Sequence, residues 1–240
     1  MCRCLMLREE KAINNIIANF SYWSTRIQIR QLASYTGGIP ITSRPFSYYR
    51  SVFFEQHSPP TIFKSLKGKK VVDIGCGYSP YSEESMFRAC YKNGIEFYGV
   101  DPAIKQVKAL RPIDVLLAQL TGGTCNYDIN APGLERTICA DANQLPFSDN
   151  TIDIILSCWF IPIWIDTEDE LLTDFSEIYR ILKIGGTISL YPMPDWNSFS
   201  INNPQLRLLL DKFKFRQRFI FKPFDLMYPP TNSLTLTKTS

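Results

Sequence analysis

Two glycines one residue apart, in Gly75-Cys76-Gly77, follow directly on the apolar run Val71-Val72-Asp73-Ile74. A glycine pair after a buried strand lets the backbone turn sharply and lets a ligand lie against main-chain atoms, because no side chain intervenes. Glycines also end strands for structural reasons alone, so the meaning of this turn depends on its surroundings. Three carboxylates supply them. Asp73 lies in the run before the turn, Asp101 follows a second apolar run over 97–100, and Asp141 opens Asp141-Ala142-Asn143-Gln144-Leu145-Pro146-Phe147. A carboxylate at a strand exit can accept both hydroxyls of a ribose, and one beside a purine can accept an exocyclic amino proton. For each acid the alternative is a helix cap or a turn. Asp153, at a strand entrance, is assigned to that alternative.

The turn is not written for a dinucleotide. Such a strand carries no acid where Asp73 stands, and Ser79 occupies the place of the third glycine that lets a helix approach a pyrophosphate. A ligand with an ammonium group and no phosphate suits the site better, since a carboxylate and backbone carbonyls can hold it. S-adenosylmethionine has that chemistry.

The elements that must position these residues can be read from periodicity. From Lys69 onward, short β-branched runs alternate with helical stretches, the pattern of a parallel sheet covered by helices. Strands are expected at 70–74, 97–100, 136–140, 152–157 and 187–191. Ser79 is expected to cap a helix with Pro80 in its first position and Asn93-Gly94 at its end. Thr167-Glu168-Asp169-Glu170 is a capping box, and Leu171, Phe175, Ile178 and Leu182 form the buried stripe of the helix it opens, closed by Gly185-Gly186. A helix over 204–212 and strands over 216–222 and 233–238 complete the pattern, and the long connection 103–135 must hold a helix of its own. Residues 1–65 read as a helical cap and 66–240 as the catalytic domain. In the cap, Ile13, Ile16, Ile17 and Phe20 recur at helical spacing behind a charged turn and mark an amphipathic helix before the Gly37-Gly38 break. Phe46, Tyr49, Val52 and Phe53 mark a second helix, ended by Pro59-Pro60.

Asp-Ile-Gly-Cys-Gly, the later Asp101, Asp-Ala-x-x-Leu-Pro-Phe, and Tyr179-Arg180-Ile181-Leu182-Lys183-Ile184-Gly185-Gly186 occur together in an order that resembles the class I S-adenosylmethionine-dependent methyltransferases, in their small-molecule branch. The resemblance covers residues 70–192 by motif and the remainder of the C-terminal part by pattern. It implies an α/β, Rossmann-like, seven-stranded and mostly parallel sheet with helices on both faces. It implies S-adenosyl-L-methionine as cofactor, with Asp73, Gly75, Cys76 and Gly77 around its methionine part, Asp101 at the ribose, Asp141 and Ala142 at the adenine, and Ser157 on the methyl side. The chain departs from the family at Ser79 and in the length between Asp101 and Asp141.

Methyl transfer from a sulfonium needs no protein nucleophile; the protein aligns an acceptor and, where required, removes its proton. No catalytic residue is assigned, His57 and Asp195 being the base candidates weighed. The acceptor is expected to be a small or lipid-like molecule, lined by Tyr22, Trp23, Tyr48, Tyr49, Trp159, Phe160 and Trp164 where these are not core. Ser157-Cys158-Trp159-Phe160 replaces the Asn/Asp-Pro-Pro-Tyr/Phe run used on exocyclic amines of bases. A binding or regulatory protein that keeps the fold without turnover is the alternative.

Composition is compatible with this reading. The chain has 240 residues, 45% hydrophobic and 20% charged, with a formal net charge of +3, which gives no strong nucleic-acid signal. Lys212, Lys214, Arg216, Arg218 and Lys222, interleaved with phenylalanines, suit nucleic acid or one wet face of an alternating strand equally. The seven cysteines form no C-x-x-C pair or disulfide framework, Cys76 and Cys158 read as buried structural thiols, and no metal site is expected. Arg8, Glu9, Glu10 and Lys11 break any signal-peptide core. With no apolar run long enough to span a bilayer, a cytoplasmic location is expected.

Overall fold

A computed structural model describes residues 2–39, 41–104, 111–120, 127–225 and 227–240, without the side chains of 2–8, 117, 118 and 120. The expectations on Cys125 and on the side chains of Cys2, Cys4 and Arg8 fall outside the described residues.

The chain is an α/β fold around a seven-stranded sheet. In chain order its elements are α1 (Cys2–Tyr35), α2 (Phe46–Phe53), α3 (Pro59–Leu66), β1 (Lys70–Ile74), α4 (Met86–Lys92), β2 (Glu96–Val100), α5 (Pro112–Leu120), β3 (Thr137–Ile138), β4 (Ile152–Cys158), α6 (Glu168–Ile181), β5 (Leu182–Met193), α7 (Pro204–Leu210), β6 (Phe213–Ile220) and β7 (Thr231–Lys238). The strand order is β3-β2-β1-β4-β5-β7-β6. The first five strands run parallel, and β7 is antiparallel to both β5 and β6.

β1 is apolar on both faces because each face is covered. Val72 and Ile74 pack with Leu171, Phe175 and Ile178 of α6 and Leu206 of α7, while Val71 packs with Tyr49 and Val52 of α2, Ile62 of α3 and Phe87 of α4. Asp73 shares the parity of Val71 and therefore points toward α2. The reversal of strand order lies between β1 and β4, and the exits of β1, β2 and β4 meet there, where ligands of open α/β sheets bind.

Several expectations are corrected. Ser79 caps no α-helix: Ser79–Tyr81 is a single 3₁₀ turn, and α4 starts only at Met86, with the Ser85 hydroxyl accepting from the Arg88 amide at 3.1 Å. Both serines offer the same local signal, and the buried bend between them decides which is used. β3 shrinks from 136–140 to two residues. Leu182 ends α6 and already pairs with Ile152, so Gly185-Gly186 lies inside β5, where a Cβ on Gly186 would stand 2.8 Å from the Lys183 carbonyl oxygen. Pro59-Pro60 opens α3 rather than merely ending α2. The capping box of α6 forms as expected, with Thr167 and Glu170 bonded reciprocally.

The largest departure is α1. Ala18, Tyr22 and Ala33 are buried, whereas Ile13, Ile16, Ile17 and Phe20 face outward. Among the described residues no helix is long and apolar enough to cross a membrane.

Candidate active site

The turn after β1 has the left-handed backbone that its glycines permit, with φ of 74° at Gly75 and 54° at Gly77. A Cβ on Gly75 would lie 2.4 Å from Phe160 Cβ, and one on Gly77 would lie 2.2 Å from the Thr42 carbonyl oxygen. Backbone approach is thus already tight on both sides of the turn. The Gly75 amide donates to the Val100 carbonyl at 2.9 Å, which joins the turn to the exit of β2.

Asp101 stands at that exit. Its two carboxylate oxygens accept from the Gly77 amide at 2.9 Å and the Ala103 amide at 2.8 Å. Burial pushes its carboxyl up, the two amides pull it back, and the Asp141 charge adds to the rise. Each oxygen keeps a second lone pair for a ligand hydroxyl. Asp73 lies beneath the turn, fully buried. Its Oδ2 accepts from the Tyr49 hydroxyl at 2.7 Å, and its Oδ1 has no hydrogen-bond partner among the described residues. Burial drives the Asp73 carboxyl up to about 8, against the Tyr49 hydrogen bond and with the Asp101 charge. A buried acid with an oxygen unpartnered among the described residues thus lies below the glycine turn.

Two depressions lie side by side over these residues. The first, about 170 Å³, is lined by Gly75, Cys76, Gly77, Asp101, Tyr49 and Trp159 among others. The second, about 490 Å³, is lined by Asp141, Ala142, Asn143 and Asp174. Ile39, Phe160 and Trp164 line both, so the depressions at the glycine turn and at Asp141 share a wall and together make up the cleft beyond the exits of β1, β2 and β3. Residues 72–190 match the family model described as a methyltransferase domain. That segment, just under half of the chain, is a methyltransferase domain.

Solved structures similar to this chain include three whose fold resembles it at low identity. A SAM-dependent methyltransferase from Archaeoglobus fulgidus is 16% identical, with 81% of this chain and 99% of that one covered and a TM-score of 0.42. One from Methanosarcina mazei is 17% identical, with 75% and 97% covered and a TM-score of 0.42. A phosphoethanolamine N-methyltransferase 2 from Haemonchus contortus, in complex with phosphomonomethylethanolamine and S-adenosylhomocysteine, is 15% identical, with 86% and 56% covered and a TM-score of 0.41. No curated protein matches the chain.

Not every residue singled out in the sequence reaches the cleft. Ser157 is fully buried, and its hydroxyl accepts from the Ile161 amide at 3.3 Å, so it holds the loop after β4 while Cys158, Trp159 and Phe160 face the cleft. Burial raises the thiols of Cys76 and Cys158 well above their ordinary range, the behaviour of structural cysteine. Asp195 is nearly buried and accepts from Gln217 at 2.5 Å and Ser198 at 2.7 Å, while its amide donates to Asn19 of α1 at 2.8 Å. His57 is exposed after α2, away from the cleft lining. Asp153 accepts from the Lys70 amide at 2.9 Å and Lys183 Nζ at 2.7 Å at the entrance of β4, a structural role.

Of the aromatic residues, Tyr49, Trp159, Phe160 and Trp164 line the cleft. Tyr48 stands behind Trp159 and accepts from its indole nitrogen at 2.7 Å. Tyr22 and Trp23 line a separate hollow of about 370 Å³ with Pro162, Leu171 and Phe199.

Sequence reasoning missed the strap over the site. Between α1 and α2, Thr42 lies over the glycine turn, its carbonyl accepting from the Tyr78 amide at 3.3 Å, and Arg111 and Asp114 tie down Thr36, Ile39 and Ile41. Arg111 donates to the Thr36 carbonyl at 3.2 Å and the Ile39 carbonyl at 2.9 Å, and Asp114 accepts from the Ile41 amide at 3.2 Å and from Arg111 Nη2 at 2.8 Å. Burial favours the neutral form of Asp114, but its hydrogen bonds to Arg111 and Ile41 outweigh that and lower its carboxyl. An Arg-x-x-Asp spacing at a helix start was the available signal. Arg44 also escaped notice: it lines the cleft with its guanidinium 5.2 Å from the Trp159 ring centre and 5.3 Å from that of Tyr48.

Proposed function

We propose that the protein is a class I S-adenosyl-L-methionine-dependent enzyme that methylates a small-molecule or lipid-like acceptor, with that cofactor laid across the two neighbouring depressions. Asp73, Gly75, Cys76 and Gly77 surround its methionine part, Asp101 accepts from the ribose hydroxyls, and Asp141 with the Ala142 backbone receives the adenine. Ser157 acts through the loop it fixes rather than by direct contact. Residues 1–65 serve as the cap and 66–240 as the catalytic domain, although α2 and α3 of the cap also contribute to the core.

The observation that carries this reading is that the depression at the glycine turn and Asp101 and the one at Asp141 and Ala142 lie on either side of a shared wall of Ile39, Phe160 and Trp164. The second hollow is within the range of ~300–1,000 Å³ that small-molecule sites span, and the first is below it. Ile41 and Thr42 of the strap line the first hollow, and cofactor entry moves that segment. The cofactor supplies a methyl carbon that is already electrophilic. The protein's own part is alignment and exclusion of water: Trp159, Phe160 and Trp164 wall the site, and Tyr49 holds Asp73 from below. Among the described residues the aromatic half offers no group suited to accept a proton near neutrality, since burial raises the Tyr49 hydroxyl and the Cys158 thiol. An acceptor with a free lone pair at neutral pH therefore fits best.

Calorimetry with S-adenosylmethionine and S-adenosylhomocysteine on the wild type and Asp101→Ala tests the site. Affinity is expected to fall by at least about tenfold with the fold intact, the scale of a lost charge-assisted hydrogen bond. Unchanged affinity removes Asp101 from the site. Labelled methyl transfer to amine, thiol and phospholipid acceptors, compared with peptide and nucleic acid, tests the substrate class; label found only on macromolecules refutes it.

A further inference from the structure

Helix α1 has two working sides. Ala18, Tyr22 and Ala33 are buried, and Arg26 and Arg30 on this flank donate to the Ile163 carbonyl at 3.2 and 2.9 Å. On another side Ile13, Ile16, Phe20, Trp23 and Ile27 are 56, 69, 77, 44 and 55% exposed. Their spacing is three, four, three, four, the narrow seam of a helix pair rather than the broad stripe that seats a helix on a globular body. With Ile17 at the edge, their exposed surface, on the order of 700 Å², exceeds the ~300–600 Å² of the largest patch on a typical monomer and approaches the ~800 Å² that each partner gives to a standard interface.

The chemistry beside the seam selects the occupant. Between Lys11 and Arg26 the helix carries no charged residue, only Ala, Asn, Ser, Thr and Tyr besides the apolar positions. A helix lying on an anionic lipid surface has a basic polar face, which this stretch lacks. The same absence of charge lets two copies approach without repulsion. Phe20 is the middle residue of the seam, so the stripe is nearly symmetric about it, as a two-fold interface requires. Antiparallel pairing sets Ile13 against Ile27 and Ile16 near Trp23, whereas parallel pairing sets Glu10 against Glu10.

We propose that a second copy of this chain docks on this seam, giving a two-fold dimer through antiparallel α1 helices crossing at Phe20. None of the seam residues lines the two depressions of the candidate site, so each protomer keeps its own site.

Sedimentation velocity of the full chain at micromolar concentration tests the assembly. The wild type is expected to sediment as a dimer, and Phe20→Glu and Ile16→Glu each to weaken association by at least about tenfold, with circular dichroism and S-adenosylhomocysteine binding unchanged. A monomeric wild type overturns the proposal, as does a dimer indifferent to both substitutions. Flotation with phosphatidylserine vesicles that Phe20→Glu abolishes assigns the face to lipid and overturns it too. Mixed Ile13→Cys and Ile27→Cys chains, with Cys2, Cys4 and Cys139 changed to serine, are expected to cross-link to each other; cross-linking of Ile13→Cys chains alone overturns the antiparallel arrangement.

Discussion

Asp73→Asn makes the burial of that carboxyl measurable. In the unfolded chain the group titrates near 3.8, and in the folded protein near 8. Its folded value is raised, so the folded state holds the proton more tightly, and the associated stability is fully present below pH 3.8. It declines as the pH rises and is lost once the pH passes 8. Each pH unit inside that window removes about 1.4 kcal/mol, and the whole window roughly 5 kcal/mol. Asparagine keeps the shape and still accepts the Tyr49 hydrogen bond but does not titrate. Relative to Asp73→Asn, the wild type should therefore lose about 4 kcal/mol between about pH 5 and pH 8. Urea unfolding of both proteins across that range reads the difference directly, and effects of other titrating groups cancel in the comparison. Parallel pH dependences would refute the argument that burial keeps Asp73 protonated. A second arm addresses the ligand: if Asp73 meets an ammonium, S-adenosylhomocysteine affinity rises as Asp73 ionises toward its folded value of about 8 in the wild type and stays flat in Asp73→Asn. Failure of that arm alone leaves the burial intact and removes the proposed contact.

Further outcomes are expected at neighbouring positions. Gly75→Ala sets a Cβ 2.4 Å from Phe160 Cβ at a positive φ; it should cost about 1–3 kcal/mol and at least tenfold in cofactor affinity, with Phe160→Ala in the same chain restoring part of the stability by urea unfolding. Arg111→Ala leaves the buried Asp114 without its cation and the Thr36 and Ile39 carbonyls without a donor; about 1–3 kcal/mol should be lost, and limited proteolysis should cut faster between residues 36 and 41. Under mildly alkaline conditions iodoacetamide should modify the exposed Cys139 and spare Cys76 and Cys158, a pattern that peptide mass spectrometry resolves and that labelling of Cys76 would contradict.

What was legible in the sequence was whatever depends on one element at a time. Val71, Val72 and Ile74 announce a strand buried on both faces, and Thr167 with Glu170 announces a helix start, because pattern and local chemistry suffice there. Asp101 was legible as a strand-exit acid, but its bonds to Gly77 and Ala103 are not, since they depend on how two loops meet. The strap is a meeting of the α1 end with the start of α5, Thr36 and Arg111 standing 75 residues apart, and short spacings carry no trace of it. For α1 the periodicity correctly grouped Ile13, Ile16, Ile17 and Phe20, yet a helical period says which side chains share a side and not which side the body covers. Trp159, with φ of 65°, gives no warning in its residue type.

β7 follows β6 along the chain yet lies between β5 and β6 in the sheet. Its Lys238 is buried, with Nζ donating at 2.8 Å to Asn150 and to the carbonyls of Tyr179 and Leu182 at the end of α6. A nascent chain emerging from the ribosome consequently has every strand that frames the cleft once Met193 is out, while β6 must wait beside an open edge until β7 arrives to fill the gap. Ribosome-bound intermediates should thus expose the rim of the sheet's unfinished half at Ile188 and Leu190, and this interval is when a holding chaperone has most to gain.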